Sequence, residues 1–442
     1  MSSSNVIRLS IMMFLQFFVW GAWYVTAYLY LGKLGFQGTD IGWTYSVGPI
    51  AGIISPFFVG MFADRFMSTE RVLGIMHVLG GAAMFGAISA MQSESPSATT
   101  INAWLFVHML CYFPTLALTN TLALHNMTNA EKQFPMIRVF GTIGWIVAGL
   151  FVSWRGWDAA IDMFRIAAIV SIVLGIYSFT LPHTPPPGKG KEVTLREVLG
   201  LDALTLLKQP SFLAFMFCSF LICIPLAFYY QMAGKFVDHA GLSNPAAKMS
   251  FGQMSEIIFM IVMPLFFARL GVKWMLAVGM FAWVVRYGLF AAAATSGAAW
   301  MVFAGIILHG ICYDFFFVTG QIYTDKVAPE SIRGQAQGLL VLITLGLGML
   351  CGAQIAGVIE QKNTAVMSEE TSERLAGIDA SLAEIDDDET ARAELVSERR
   401  DILLQSQDWK TIWTIPTALA AVILVVFVFV FRESPTDPVA ES

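Results

Sequence analysis

Long apolar runs separated by short polar breaks dominate the chain. A helix needs about 20 apolar residues to cross the hydrocarbon of a bilayer, and twelve runs approach or exceed that length. They fall at roughly 8–31, 41–63, 71–91, 100–125, 135–154, 163–182, 210–236, 249–268, 274–295, 298–325, 334–359 and 411–431. Between the sixth and seventh stands His183-Thr-Pro-Pro-Pro-Gly-Lys-Gly-Lys191, followed by polar sequence to Gln209. Pro- and Gly-rich stretches of this kind join units without packing into either. The pattern predicts an all-α membrane protein: six spans in 1–182, a linker over 183–209, six spans in 210–431 and a short tail, 432–442. The first run follows Arg8 without a small-residue cleavage site, and is expected to be an uncleaved span.

One interval breaks the rhythm. Residues 361–410 carry thirteen acidic and six basic side chains, a net −7, so the remainder of this −6 chain amounts to +1. Leu375, Ile378, Leu382 and Ile385 follow helical spacing, and Leu395 and Ile402 are seven apart. A helical hairpin outside the membrane is expected there, serving as a solvated lid or spacer, with partner docking as the alternative. Basic residues orient the whole. With the N-terminus cytoplasmic, inner loops hold thirteen Lys and Arg and short outer loops five, as the positive-inside rule requires. Both termini are then cytoplasmic and the insertion periplasmic. A weak internal repeat fits two halves. Gly60-x-x-x-Asp64-Arg65 is echoed by Ala268-Arg269-Leu-Gly-Val-Lys273, and Ile137-Arg138 by Ile332-Arg333.

Composition agrees: 56% of residues are hydrophobic and 13% charged, against about 25% charged in soluble proteins. The five cysteines lie in apolar segments without disulfide or metal spacing, and a packing role is expected of them. Zinc-ligand pairs, a nucleophile elbow and phosphate-binding glycine loops are missing, so neither enzyme activity nor a metal or cofactor is expected.

Ionisable residues inside spans cost free energy and need a reason to be there. Arg138 opens the fifth span, with Thr142 and Trp145 on the same helical face. Its alternative is an Arg that snorkels to the headgroups. Glu256 lies in the eighth span one turn after Gln253, and Asp314 in the middle of the tenth, after His309 and Tyr313. Opposite charges in hydrocarbon are expected to converge on a wet pocket. Burial and a nearby Arg push a carboxylate's protonation in opposite senses, which makes Glu256 and Asp314 candidate proton carriers. The competing reading is a permanent lock, Asp314 with Arg286 or Glu256 with Arg138. Asn120 and Tyr230 add polar and aromatic character to spans four and seven, and Trp20, Trp23, Phe140 and Tyr229 supply further rings. Such a lining suits a flat ring bearing hydroxyl and carbonyl groups.

Seven motifs carry a resemblance over nearly the whole length: Phe14-Leu-Gln-Phe-Phe-Val-Trp20-Gly-Ala-Trp23, Pro114-Thr-Leu-Ala-Leu-Thr-Asn120-Thr, Phe134-Pro-Met-Ile-Arg138-Val-Phe-Gly141-Thr142-Ile-Gly144, Leu181-Pro-His183, Leu199-Gly-Leu-Asp202-Ala, Gln253-Met-Ser-Glu256 and Tyr313-Asp314-Phe-Phe. With them the chain resembles the nucleoside:proton symporters of the major facilitator superfamily. The resemblance implies two pseudo-symmetric six-helix bundles, a central nucleoside site and proton-driven uptake across the bacterial inner membrane by alternating access. Arg138, Thr142, Gln253, Glu256 and Asp314 match the family's binding and coupling positions, whereas Trp145, His309 and Tyr313 differ in type. In span seven Ala227 and Tyr230 stand where enterobacterial members carry Gln and Asn, with Gln231 displaced by one. Expected partners are a nucleoside, protons and membrane lipid, with no nucleic acid, and the expected assembly is a monomer. A sugar symporter, a drug exporter and a non-transporting receptor are the rival readings.

Overall fold

In hydrocarbon no water satisfies backbone N–H and C=O groups, so apolar runs of this length fold as helices. The computed structural model describes residues 3–58, 67–128, 130–186, 200–384 and 389–432. The motif from Gly60 to Arg65, the linker core 187–199, Ile385 and the tail from 433 lie outside them.

The helices are α1 (Ser3–Gly21), α2 (Ala27–Lys33), α3 (Gly38–Phe58), α4 (Thr69–Met91), α5 (Ala98–His125), α6 (Ala130–Trp154) and α7 (Asp162–Ser178). A 3-10 segment, Leu201–Lys208, then leads into α8 (Pro210–His239) and α9 (Pro245–Ser296). There follow α10 (Ala299–Val327), α11 (Glu330–Lys362), α12 (Glu369–Glu384), α13 (Glu389–Gln405) and α14 (Trp409–Val430).

Among the described residues nine helices are long and apolar enough to cross a membrane. One of them, the 52-residue α9, is two spans joined end to end at Gly271 (φ 66°, ψ −179°). Adding its second half, α3 and the 17-residue α7 gives the twelve crossings expected of the major facilitator architecture. Two details differ from the sequence pattern. The first run is not one helix but α1 and α2, separated by a turn over residues 22–26. Spans eight and nine have no separate loop: helix continues on both sides of Gly271, whose positive φ kinks the chain there. Cys351 is exposed on α11, unlike the buried Cys218, Cys223 and Cys312.

Within the first half α4 packs on α5 and α7, and α1 on α6; within the second α9 packs on α10 and α14, and α8 on α11. The halves meet along two seams, α3 against α11 and α6 against α9. Both seams are tight where the insertion lies. A Cβ added to Gly38 would sit 2.6 Å from the Gly357 carbonyl oxygen, so only two glycines permit this crossing. There the Thr39 N–H donates to Gln361 Oε1 (3.3 Å) and Gln354 Nε2 to Ser46 Oγ (2.8 Å). Toward the linker end the same helix, α11, has open space around Gly334 and Gly338. The halves are therefore closed together at the insertion end.

The insertion is a helical hairpin, as its spacing predicts. Ile378 and Leu403 are buried within it. It docks on α8 through Arg399, which pairs with Asp238 (3.2 Å) and with Asp379 of α12 (2.7 Å).

Candidate substrate and proton site

Helix α6 begins at Ala130, eight residues before Arg138, so the guanidinium lies two turns inside the helix and deeper than its place in the apolar run suggests. It is half-buried and stacks over the Phe17 ring of α1, 4.2 Å from the centroid. Phe17 was not among the sequence candidates, although an aromatic on the first span is the one local sign of such a cation–π partner. Thr142 and Trp145 follow on α6, both half-buried. Trp145 meets Trp20 edge to face at 5.4 Å and packs against the cores of both halves. Tyr230 does the same from α8, facing Tyr24 at 5.9 Å. These two rings mark the boundary between the bundles.

The second half supplies the acids. Gln253 is buried with its Oε1 unpartnered, and Glu256, one turn on, is half-buried. Asp314 is fully buried and neither carboxylate oxygen has a partner. It opens a π-helical turn, Asp314–Val318, a distortion that frequently occurs at functional sites. Glu256 lies within electrostatic reach of both Arg138 and Asp314, and Tyr313 within reach of all three. Arg138 of the first half and the two acids of the second are thus linked electrostatically through Glu256. Neither anticipated lock has formed: among the described residues no ion pair within 4.0 Å joins Glu256 to Arg138 or Asp314 to Arg286.

Arg286 serves another purpose. Fully buried, it lies 3.2 Å above the Tyr229 ring and 3.3 Å from His309 Nδ1. His309 in turn stacks on Tyr229 (5.4 Å) and tilts against Tyr313 (5.9 Å). His309 is thus buried, packed among Arg286, Tyr229 and Tyr313. Asn120 is half-buried on α5, and among the described residues no hydrogen bond joins it to the cluster. Gln231, the displaced amide of span seven, points away: its Nε2 donates to Glu360 Oε2 (3.4 Å), beside a Lys235–Glu360 ion pair of 2.6 Å. Tyr230, not Gln231, is the residue of this turn that faces Tyr24 and lies within electrostatic reach of Glu256 and Tyr313.

A groove of about 310 Å³ lies elsewhere, between α3 and α5, lined by Asp40, Trp43, Asn102 and Phe106 among others. It contains none of the converging charges, and the site is assigned on chemistry rather than on concavity. Among the described residues no cluster of three or more His, Cys, Asp or Glu side chains is arranged to hold a metal.

The comparisons with known proteins point the same way. The family model described as "Nucleoside H+ symporter" matches residues 3–436. The Escherichia coli transporter YegT is 38% identical over 439 residues, 97% of this chain and 94% of that protein. The xanthosine permease of Escherichia coli is 32% identical over 372 residues, 80% of this chain and 88% of its own. The crystal structure of the nucleoside transporter NupG superposes with a TM-score of 0.79 at 26% identity, covering 97% of this chain and all of that one. Family model, relatives and architecture agree, and the chain belongs to the nucleoside H+ symporter family.

Proposed function

We propose that this protein takes up nucleosides together with protons by alternating access, binding the nucleoside where the two bundles meet. The observation that carries the reading is the convergence of Arg138 from the first half with Glu256 and Asp314 from the second, without an ion pair locking any of them. The base stacks against Trp145 or Tyr313, while Gln253, Thr142 and Arg138 supply hydrogen bonds to base and ribose; Tyr230 narrows the second-half wall. Asn120 and His309 act at one remove, His309 by backing Tyr313. Burying an unpartnered ionised carboxylate costs several kcal/mol, so a proton gained or lost at Asp314 or Glu256 biases which end opens. One proton moving down ~100 mV and one pH unit releases about 2.3 plus 1.4 kcal/mol, enough for several-hundred-fold accumulation.

In this reading residues 1–182 rock against 210–431 about the 183–209 linker. The linker end faces the cytoplasm, the insertion faces the periplasm, and the protein works as a monomer in the inner membrane. The orientation is supported by the excess of Lys and Arg at the linker end. The test is uptake of labelled uridine into proteoliposomes with an imposed pH gradient, challenged with purine nucleosides, pyrimidine nucleosides and hexoses. Gradient-driven uptake blocked by nucleosides is expected. Competition by hexoses alone would overturn the substrate assignment.

A further inference from the structure

The loop between α6 and α7 carries Asp158, and its carboxylate reaches across to the other half. Asp158 Oδ1 accepts the backbone N–H of Ala246 (2.8 Å), in the first turn of α9 in the other half. The Ser153 hydroxyl donates to the same oxygen (2.7 Å) and accepts the Ala247 N–H (2.9 Å). The first N–H groups of a helix have no partner within it, and α9 lacks a side-chain cap of its own: Asn244, its N-cap residue, makes none. Its cap comes from across the seam. Immediately below, Gly149 lies so close to Ser250 and Ala246 that an added Cβ would collide with both.

We propose that Asp158, anchored by Ser153, is a gate residue of the insertion end, which caps α9 only while the two halves are closed there. This rests on the alternating-access reading above. Opening that end must pull the α6–α7 loop from α9 and return both partners to water, so the cap is made and broken once per cycle. Asp158 is buried in the closed form. Burial holds its carboxyl above the usual carboxylate range, against the pull of the Ala246 and Ser153 hydrogen bonds. The charged groups around it are Lys248 on α9, Asp238 on α8 and Lys33 on α2, whose Nζ donates to the neighbouring Ala159 carbonyl (3.0 Å). The Tyr28 hydroxyl also lies within its electrostatic reach. Asp238 is the repelling charge, and the insertion's Arg399 pairs with it.

A cysteine buried behind the gate reads the open population directly, because it reacts only when the gate opens. Ser46, fully buried on the α3–α11 seam, is suited to this. In full-length protein with the five native cysteines replaced by serine, Ser46→Cys is labelled in proteoliposomes with a membrane-impermeant thiol reagent added at the insertion end. Removing a cap of this kind is expected to raise the labelling rate about two- to thirty-fold in Asp158→Ala. Asp158→Asn, whose amide oxygen still accepts from Ala246, is expected to stay within about twofold of the parent. Ser153→Ala gives an intermediate rise and stands in if Asp158→Ala does not fold. An unchanged rate in the alanine variants, or an equal rise in Asp158→Asn, would overturn the proposal. No substrate enters the assay, so failure of the nucleoside assignment would leave its outcome readable.

Discussion

At the scale of single residues the site pairs charged and polar side chains with partners that are rings or nothing at all. Arg138 and Arg286 rest on Phe17 and Tyr229, and Asp314 has no partner within hydrogen-bond distance. A desolvated carboxylate of this kind is well placed to couple its proton to movement. Asp314→Asn is therefore expected to abolish concentrative uptake while nucleoside exchange across the vesicle membrane persists. Full pH-driven accumulation by that variant would remove Asp314 from the coupling. Gln253, one turn before Glu256, has an unpartnered amide oxygen. Losing one hydrogen bond costs about 1–1.5 kcal/mol, so Gln253→Ala is expected to raise KM for uptake about five- to tenfold, with a smaller change in kcat. Arg138 and the two acids were legible from the sequence, because a charge within an apolar run stands out. Phe17 and Tyr229 were not assignable, since one ring among 35 Phe and 11 Tyr carries no local mark of its cation.

At the scale of elements, one cap and one close crossing show how helix positions are fixed. Asp408 caps α14 from within, accepting from the Thr411 hydroxyl (2.6 Å) and the Thr411 N–H (3.0 Å). Those two bonds hold its carboxyl below the usual range. A lowered folded value means this contribution is present above the ordinary carboxylate pKa and fades as pH falls through the folded value. Asp408→Ala should cost about 0.5–2 kcal/mol, seen as a lower thermal midpoint at neutral pH, with the difference from the parent shrinking in acid. The α3–α11 crossing rests instead on close backbone contact. Gly357→Val would place side-chain atoms against the Gly38 carbonyl oxygen, which a Cβ alone approaches to 2.5 Å. That variant is expected to hold the insertion end open: faster labelling of Ser46→Cys and uptake reduced by an order of magnitude or more. Slow labelling with normal uptake would show that the seam tolerates the side chain. Periodicity located these helices to within a few residues, yet the turn after Gly21 and the single-residue kink at Gly271 escaped it. Both depend on backbone torsions that an apolar pattern does not encode.

At the scale of the whole molecule, the insertion is attached at a narrow base. Thr364 and Gln407 form an antiparallel bridge, and the Ala365 N–H donates to Ser406 (2.9 Å). Excising 366–405 and joining the two ends with a short Gly-Ser linker should therefore leave α11 and α14 in place. Uptake is expected to persist, with a shift in gate labelling because Arg399 no longer neutralises Asp238. Complete loss of uptake in a correctly folded deletion would instead give the hairpin a part in transport.

The sequence by itself determined that this chain is a helical membrane protein of twelve crossings, which charges lie within its apolar runs and where the acidic insertion begins and ends. Hydrophobic length and the cost of burying charge are local properties, and both can be read residue by residue. Only the tertiary structure decided which end is closed, that Gln231 turns to Glu360 while Tyr230 faces Tyr24, and that a loop carboxylate of one half caps a helix of the other. Each of these is set by packing between helices brought together from distant parts of the chain, where a rotation of one residue about a helix axis exchanges cavity for core.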